Sequence, residues 1–276
     1  MSYADTVFIQ NCQQILNEGV WDTDFPVRPR WDDGTPAHTI KISNVVNRYD
    51  LSKEFPLLTL RRTYLKSAWD ELLWIWQKKS NNVHDLSSHV WDSWADESGS
   101  IGKAYGYQLA VKSKYPEGEF DQVDRVLFEL KNNPASRRMV TNMYVHTDLH
   151  DMGLSPCAYG MMFNIQGDKL NATLIQRSQD MLTASNWNVC QYALLVMAFA
   201  QVSGLQAGEL VHVISDAHIY DRHVPIVKKL LQLAPIEAPM VALNGSIKNF
   251  YDFTKDDVYT WGYAYHTFDE KIPVAV

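Results

Sequence analysis

Apolar positions along the 276-residue chain change period from one segment to the next, and the changes predict its elements. Residues 3–18, "YADTVFIQNCQQILNE", repeat apolar side chains at helical spacing and run into Gly19, which predicts a first helix and its stop. Residues 26–38, "PVRPRWDDGTPAH", mix proline, glycine and charge and predict a loop. "AHTIKISNVVNRYDL" is β-branched and partly alternating, the mark of a strand. Residues 66–78 predict a strongly apolar helix with Asp70 and Glu71 embedded in it, and 121–132 an amphipathic helix with Pro134 just beyond. "RRMVTNMYV" and "YGMMFNIQGDKLNATLIQRS" predict strands, with a hairpin at Gly167-Asp168. Residues 188–203 predict a buried helix ending near Gly204, "ELVHVISDAHIY" a strand, and 221–233 a short helix. The strands are grouped more than they alternate with helices, which gives an α/β (α+β) fold with a mixed sheet. No repeat, linker or cutting point interrupts the pattern, so residues 1–276 read as one domain.

Composition narrows the class. A 46% apolar content is ample for a real core, and 21% charged residues without single-sign runs exclude disorder. The formal net charge of −7 argues against wrapping nucleic acid but leaves room for a local basic pocket that takes one phosphate. The start, "MSYADTVFIQ", is not a signal peptide, and "YALLVMAFA" (192–200) is too short to span a bilayer. Three well-separated cysteines, Cys12, Cys157 and Cys190, do not make a disulfide framework, so a reduced cytoplasmic setting is expected, away from any membrane.

Local motifs are individually weak. "GSIGKAYG" (99–106) lacks dinucleotide-loop spacing, and no phosphate-cradling Walker loop is present. His146 and His150 stand four apart, but without an H-E-x-x-H pattern or a cysteine pair they predict no metal. Arg137-Arg138, Arg177-Ser178, and Arg28 with Arg30 offer planar forks and a hydroxyl suited to phosphate, yet any one of them taken singly reads first as a surface charge. "SPCAYG" (155–160) presents Cys157 either as a nucleophile or as a small buried filler, since no histidine or lysine adjoins it.

Taken in order, the segments gain meaning. "ELLWIW" (71–76), "VWDSWADESGSIGKAYGYQ" (90–108), "PASRRMV" (134–140), "LSPCAYG" (154–160), "QRSQDMLTASNWNVCQYALL" (176–195), "DAHIYDRH" (216–223) and the closing "PVAV" together resemble the thymidylate synthase family. The similarity runs from about residue 5 to the last residue. It implies a bent sheet flanked by helices, a homodimer packed sheet to sheet, and reductive methylation of dUMP by 5,10-methylenetetrahydrofolate to dTMP and dihydrofolate, with no metal. Carbon 5 of uracil is too poor a nucleophile to attack an activated methylene. Thiolate addition at carbon 6 turns it into an enolate that can.

The resemblance implies a role for each matched residue. Cys157 is the nucleophile. Arg28 reaches the phosphate from the early loop, with Arg30 close enough to compete for that role. Arg177 and Ser178 bind phosphate in the same subunit, and Arg177 also favours the Cys157 thiolate. Arg137 and Arg138 cross the dimer interface to the partner's phosphate. Asn188 reads O4 and N3–H, the uracil pattern, where an aspartate would suit cytosine. His218 and Tyr220 hold the ribose hydroxyl. Glu71 organises water and protons near O4 and the folate, Tyr105 stands near the proton lost from carbon 5, and Asp180 bonds the pterin at the border with dUMP. Trp91 and Trp94 contact the folate, and Val276 closes over it.

The sequence departs from the commoner family pattern around the pyrimidine. Ala158 stands where histidine is usual, "ASNWN" replaces Gly-x-Pro-Phe-Asn, Arg222 replaces asparagine, and the early loop is lengthened. Two alternatives follow: a pyrimidine deoxynucleotide hydroxymethylase, in which water captures the methylene intermediate, and a nucleotide-binding homologue without catalysis. The tail and the intact thiol and arginines favour methylation.

Overall fold

The computed structural model describes residues 1–268 and 270–276. Its elements, in chain order, are α1 (Tyr3–Glu18), β1 (Val20–Trp21), β2 (Thr39–Asp50), α2 (Leu65–Trp76), α3 (Gly106–Ala110), β3 (Ser113–Tyr115), β4 (Gly118–Phe120), α4 (Gln122–Asn132), β5 (Val140–Asn142), β6 (Ala158–Gln166), β7 (Lys169–Gln176), β8 (Gln179–Asp180), α5 (Ser185–Val202), β9 (Gln206–Tyr220), α6 (Val224–Leu230), β10 (Met240–Leu243) and β11 (Val258–Trp261). Seven strands form the main mixed sheet in the order β1-β2-β9-β7-β6-β5, with β8 also on β9. β9 pairs antiparallel with β2 from Thr39↔Tyr220 to Asp50↔Glu209, and parallel with β7 and β8. The parallel step requires a crossover, and α5 supplies it.

Helix α5 is apolar on every side because it is enclosed, packing against α2 and β9. Trp69, Trp74 and Trp76 of α2 are fully buried there with Phe199 and Phe250. The β6–β7 hairpin turns at Gly167, whose φ of 64° suits glycine. α4 starts at Asp121, whose side chain accepts from the Asp124 amide.

Two expectations shift. Only Val140–Asn142 of "RRMVTNMYV" pairs, because Arg137 and Arg138 are exposed ahead of it and Met143 turns into the core. The 221–233 helix splits into a tight turn, Asp221–His223, and α6 with Pro225 near its start, where a missing N–H costs nothing.

On the sheet face away from α5, β9 places Val211 and Val213, β7 places Thr173 and Ile175, and β6 places Met162. Val46 is 54% exposed and Val140 51% exposed, so apolar groups remain uncovered on this surface.

Candidate active site

The functional side chains meet where β6 begins and where β7, β8 and β9 end. The backbone fixes this meeting: the Arg177 amide donates to the Cys157 carbonyl at 2.9 Å, and Asp180 pairs in register with His218. A register shift between Ala158 and Gly160 re-aims the start of β6 beside Cys157. A cavity of about 600 Å³ opens there, and Arg28, Trp94, Cys157, Arg177, Ser178, Asp180, Asn188, His218 and Tyr220 all line it. The main chain thus gathers functional residues as far apart in the sequence as Arg28 and Tyr220.

Cys157 is half-buried. Burial pushes its thiol up, against the opposing pull of the Arg177 guanidinium, Tyr105 and Arg28. Arg177 Nη2 lies 3.6 Å from Sγ and also donates to the Ser155 carbonyl at 2.7 Å, while Nε donates to Pro156 at 3.0 Å. The arginine is therefore anchored by the loop that carries the thiol. The Cys157 amide donates to the Tyr105 hydroxyl at 3.1 Å. Tyr105 itself sits at φ 46°, ψ −103°, a backbone conformation that costs about 1–3 kcal/mol and persists where surrounding contacts enforce it. Trp91 provides one such contact, packing edge-on at 5.0 Å between ring centres.

Asn188 faces the cavity from the first turns of α5, and its amide is held at both ends. Oδ1 accepts from Gln176 Nε2 at 3.2 Å, and Nδ2 donates to Gln191 Oε1 at 3.1 Å. Gln176 is itself oriented, because its Nε2 also donates to the Ser178 carbonyl at 2.8 Å and its Oε1 faces His212 Nε2 at 2.8 Å. Burial pushes His212 down to about 3, so it is neutral and Nε2–H donates. One Asn188 hydrogen and one oxygen lone pair remain for a ligand, a pattern complementary to O4 and N3–H of uracil.

Gln191 also joins this reader to an acid. Its Nε2 donates to Glu71 Oε1 at 3.0 Å, and Trp187 Nε1 donates to Glu71 Oε2 at 3.2 Å. Glu71 is 5% exposed. Burial raises it to about 7, against the pull of Gln191, Trp91 and Trp187. With Ala158 buried and offering no side-chain hydrogen bond, these two donors organise the acid.

Asp180 behaves oppositely. Burial would raise it, but His223, whose Nδ1 is 3.6 Å away, leads the groups that hold it at about 2. His218 Nδ1 faces Asp216 at 2.8 Å, leaving Nε2 free for the cavity.

Some expected residues stand apart. Of the early arginines, Arg28 lines the cavity, whereas Arg30 exchanges two backbone hydrogen bonds with Val276, at 2.8 and 3.0 Å. Val274 and Ala275 line the cavity wall, and Val276 lies just outside it with Trp94 and Arg28. Glu71, Tyr105 and Trp91 sit behind the wall. Arg137 and Arg138 are exposed, away from their own chain's cavity. Sequence reasoning missed Gln176 and Gln191, though each had a signal: Gln176 directly precedes Arg177, and Gln191 stands three residues after Asn188 on one helix face. It also missed Tyr144, Met152 and Thr183, whose places on the cavity wall follow from tertiary packing alone.

The family profile described as thymidylate synthase matches residues 6–276. The chain is 43% identical over 262 residues to the thymidylate synthase of Bacillus subtilis subsp. natto, covering 93% of this chain and 94% of that one. It is 44% identical over 262 residues to the Bacillus licheniformis thymidylate synthase, with the same coverage. The solved structure of thermostable thymidylate synthase A from Bacillus subtilis superposes with a TM-score of 0.94 at 40% identity, covering 99% of each chain.

Proposed function

This chain belongs to the thymidylate synthase family, and we propose on that footing that its cavity binds dUMP with the Cys157 thiol beside carbon 6 of the pyrimidine. The chain is a methyltransferase that converts dUMP to dTMP by reductive methylation. The observation that carries the site reading is the convergence of a thiol, two guanidinium groups and an oriented carboxamide on one cavity. Arg28, Arg177 and Ser178 take the phosphate, and His218 and Tyr220 take the ribose. Asn188 reads the base. The thiolate adds to carbon 6, the charge that develops at O4 meets the Asn188–Gln191–Glu71 array, and Tyr105, held against the Cys157 amide, stands near the proton lost from carbon 5.

The cavity also fits a folate: Trp94 offers a flat face, and the ionised Asp180 suits the N–H groups of a pterin. Bound 5,10-methylenetetrahydrofolate supplies the one-carbon unit and the hydride. Trp91 acts from behind by packing on Trp94 at 5.7 Å. The tail, ending at Val276, covers the folate and keeps water out.

Purified protein given dUMP and methylenetetrahydrofolate is expected to yield dTMP with dihydrofolate. Hydroxymethyl-dUMP with tetrahydrofolate would instead mark a hydroxymethylase, and no turnover by the folded protein would sink both readings.

Asn188→Asp is expected to lower kcat/KM for dUMP about 100-fold, because O4 and the fixed Gln191 oxygen, both acceptors, then face a carboxylate that cannot donate. Turnover of dCMP should appear in the same variant. Steady-state rates with both nucleotides check this; an unchanged preference removes Asn188 as the reader.

We read residues 1–276 as one catalytic unit and its uncovered sheet face as a homodimer interface, with Arg137 and Arg138 reaching the partner's phosphate. Uncovered Val46, Val140 and Met162 support the interface. Subunits carrying Arg137→Ala and Arg138→Ala, mixed and refolded with Cys157→Ala subunits, should regain about a quarter of wild-type activity, since half of randomly formed dimers then hold one intact site. No recovery would place the arginines elsewhere. The three free cysteines suit a cytoplasmic setting.

A further inference from the structure

The turn that ends β9 fastens two other segments with three consecutive residues. Asp221 Oδ1 accepts from Trp31 Nε1 at 3.0 Å. Arg222 Nη2 donates to Asp33 Oδ2 at 2.7 Å and to Thr35 Oγ1 at 2.9 Å, and the guanidinium stacks on Trp31 at 5.0 Å. His223 Nε2 donates to the Pro273 carbonyl at 2.7 Å. Trp31, 3% exposed, packs edge-on against both Tyr220 and His223. The same early loop pairs with the tail through the two backbone bonds between Arg30 and Val276. The Trp31 amide in turn donates to the Thr35 carbonyl, so the loop is closed on itself around the atoms that Arg222 grips.

We propose that Arg222 is a positioning residue that seats the C-terminal tail: by clamping Trp31, Asp33 and Thr35 onto the end of β9, it holds the Arg30 backbone where Val276 docks. The guanidinium suits this work because one planar group supplies both a stacking face and a donor fork. An asparagine side chain is too short to cover Trp31 or reach Asp33. The clamp lies outside the cavity, so it touches neither nucleotide nor folate and acts only through the loop. Its effect on turnover rests on the reading of the tail as the folate cover.

Hydrogen exchange on the full chain without ligands tests the coupling. In Arg222→Asn, exchange at the Arg30 and Val276 amides is expected to rise about tenfold, the sum of a stacked cation and an exposed ion pair, with α5 amides unchanged. Arg222→Lys, which keeps the ion pair, should recover part of the protection. Unchanged exchange at Arg30 and Val276 overturns the proposal, as does a rise shared by α5, which would mean general destabilisation. In turnover, KM for methylenetetrahydrofolate should rise by a similar factor with kcat changing less. Raised exchange with unaltered KM would keep the clamp and sink the tail as a folate cover.

Discussion

Replacing Cys157 with alanine is expected to cut dUMP turnover roughly 10⁴-fold or more, the scale on which removing a nucleophile acts. Binding of dUMP should remain measurable. The two outcomes separate because the binding groups do not depend on sulfur. Arg177 is anchored by the carbonyls of Ser155 and Pro156, and Asn188 is anchored by Gln176 and Gln191. Alanine removes a single heavy atom at a half-buried position, so a cysteine that merely filled space would tolerate the change. Single-turnover kinetics and calorimetry of dUMP binding check both halves. A fully active variant removes Cys157 from the chemistry.

Glu71→Gln should lower kcat by roughly 10²–10⁴-fold, the range typical for losing a positioned acid or base. Its pH dependence carries a sign. With the carboxyl raised to about 7 by burial, wild-type turnover should fall as pH rises through that value and the acid loses the proton it offers toward O4. The variant's profile should lack that limb. Stability gives an independent reading. The native carboxyl binds its proton more tightly than the ordinary 4.5 of the unfolded chain. Unfolding free energy therefore declines between pH 4.5 and about 7, by about 3 kcal/mol in all, and then levels. Denaturant titrations at pH 5 and pH 8 should show this decline shrink in Glu71→Gln. An equal decline in both proteins would assign it to other groups.

Much of this architecture is legible in the sequence because burial leaves a periodic trace. α1 ends at the glycine that marks it, and the β6–β7 hairpin turns at the Gly-Asp pair that names it. The Cys157, Arg177, Asn188 and His218 constellation was readable only through the ordered series of motifs. Separately, each had an ordinary explanation. The remainder depends on three-dimensional juxtaposition. Nothing local distinguishes Gln191 from a core-facing amide, yet it links reader to acid over a span of 120 residues. Trp187, the tryptophan of "ASNWN" at the place where the family pattern has phenylalanine, donates to Glu71. The Arg222 clamp spans 189 residues to Asp33, and a one-dimensional pattern does not encode such a pair. The pattern of "RRMVTNMYV" extends beyond β5 because β-branched and apolar residues do not report whether a neighbouring strand is there to pair.

Arg137 and Arg138, exposed at the edge of the sheet, bear on how output scales with amount. If each cavity borrows them from a partner, a lone chain is an incomplete catalyst. Specific activity would then fall on dilution below the dimer dissociation constant, and in that range product formation would follow the square of the chain concentration. A dilute assay would resemble inhibition with no inhibitor present, and a modest rise in expression would be amplified in the supply of dTMP.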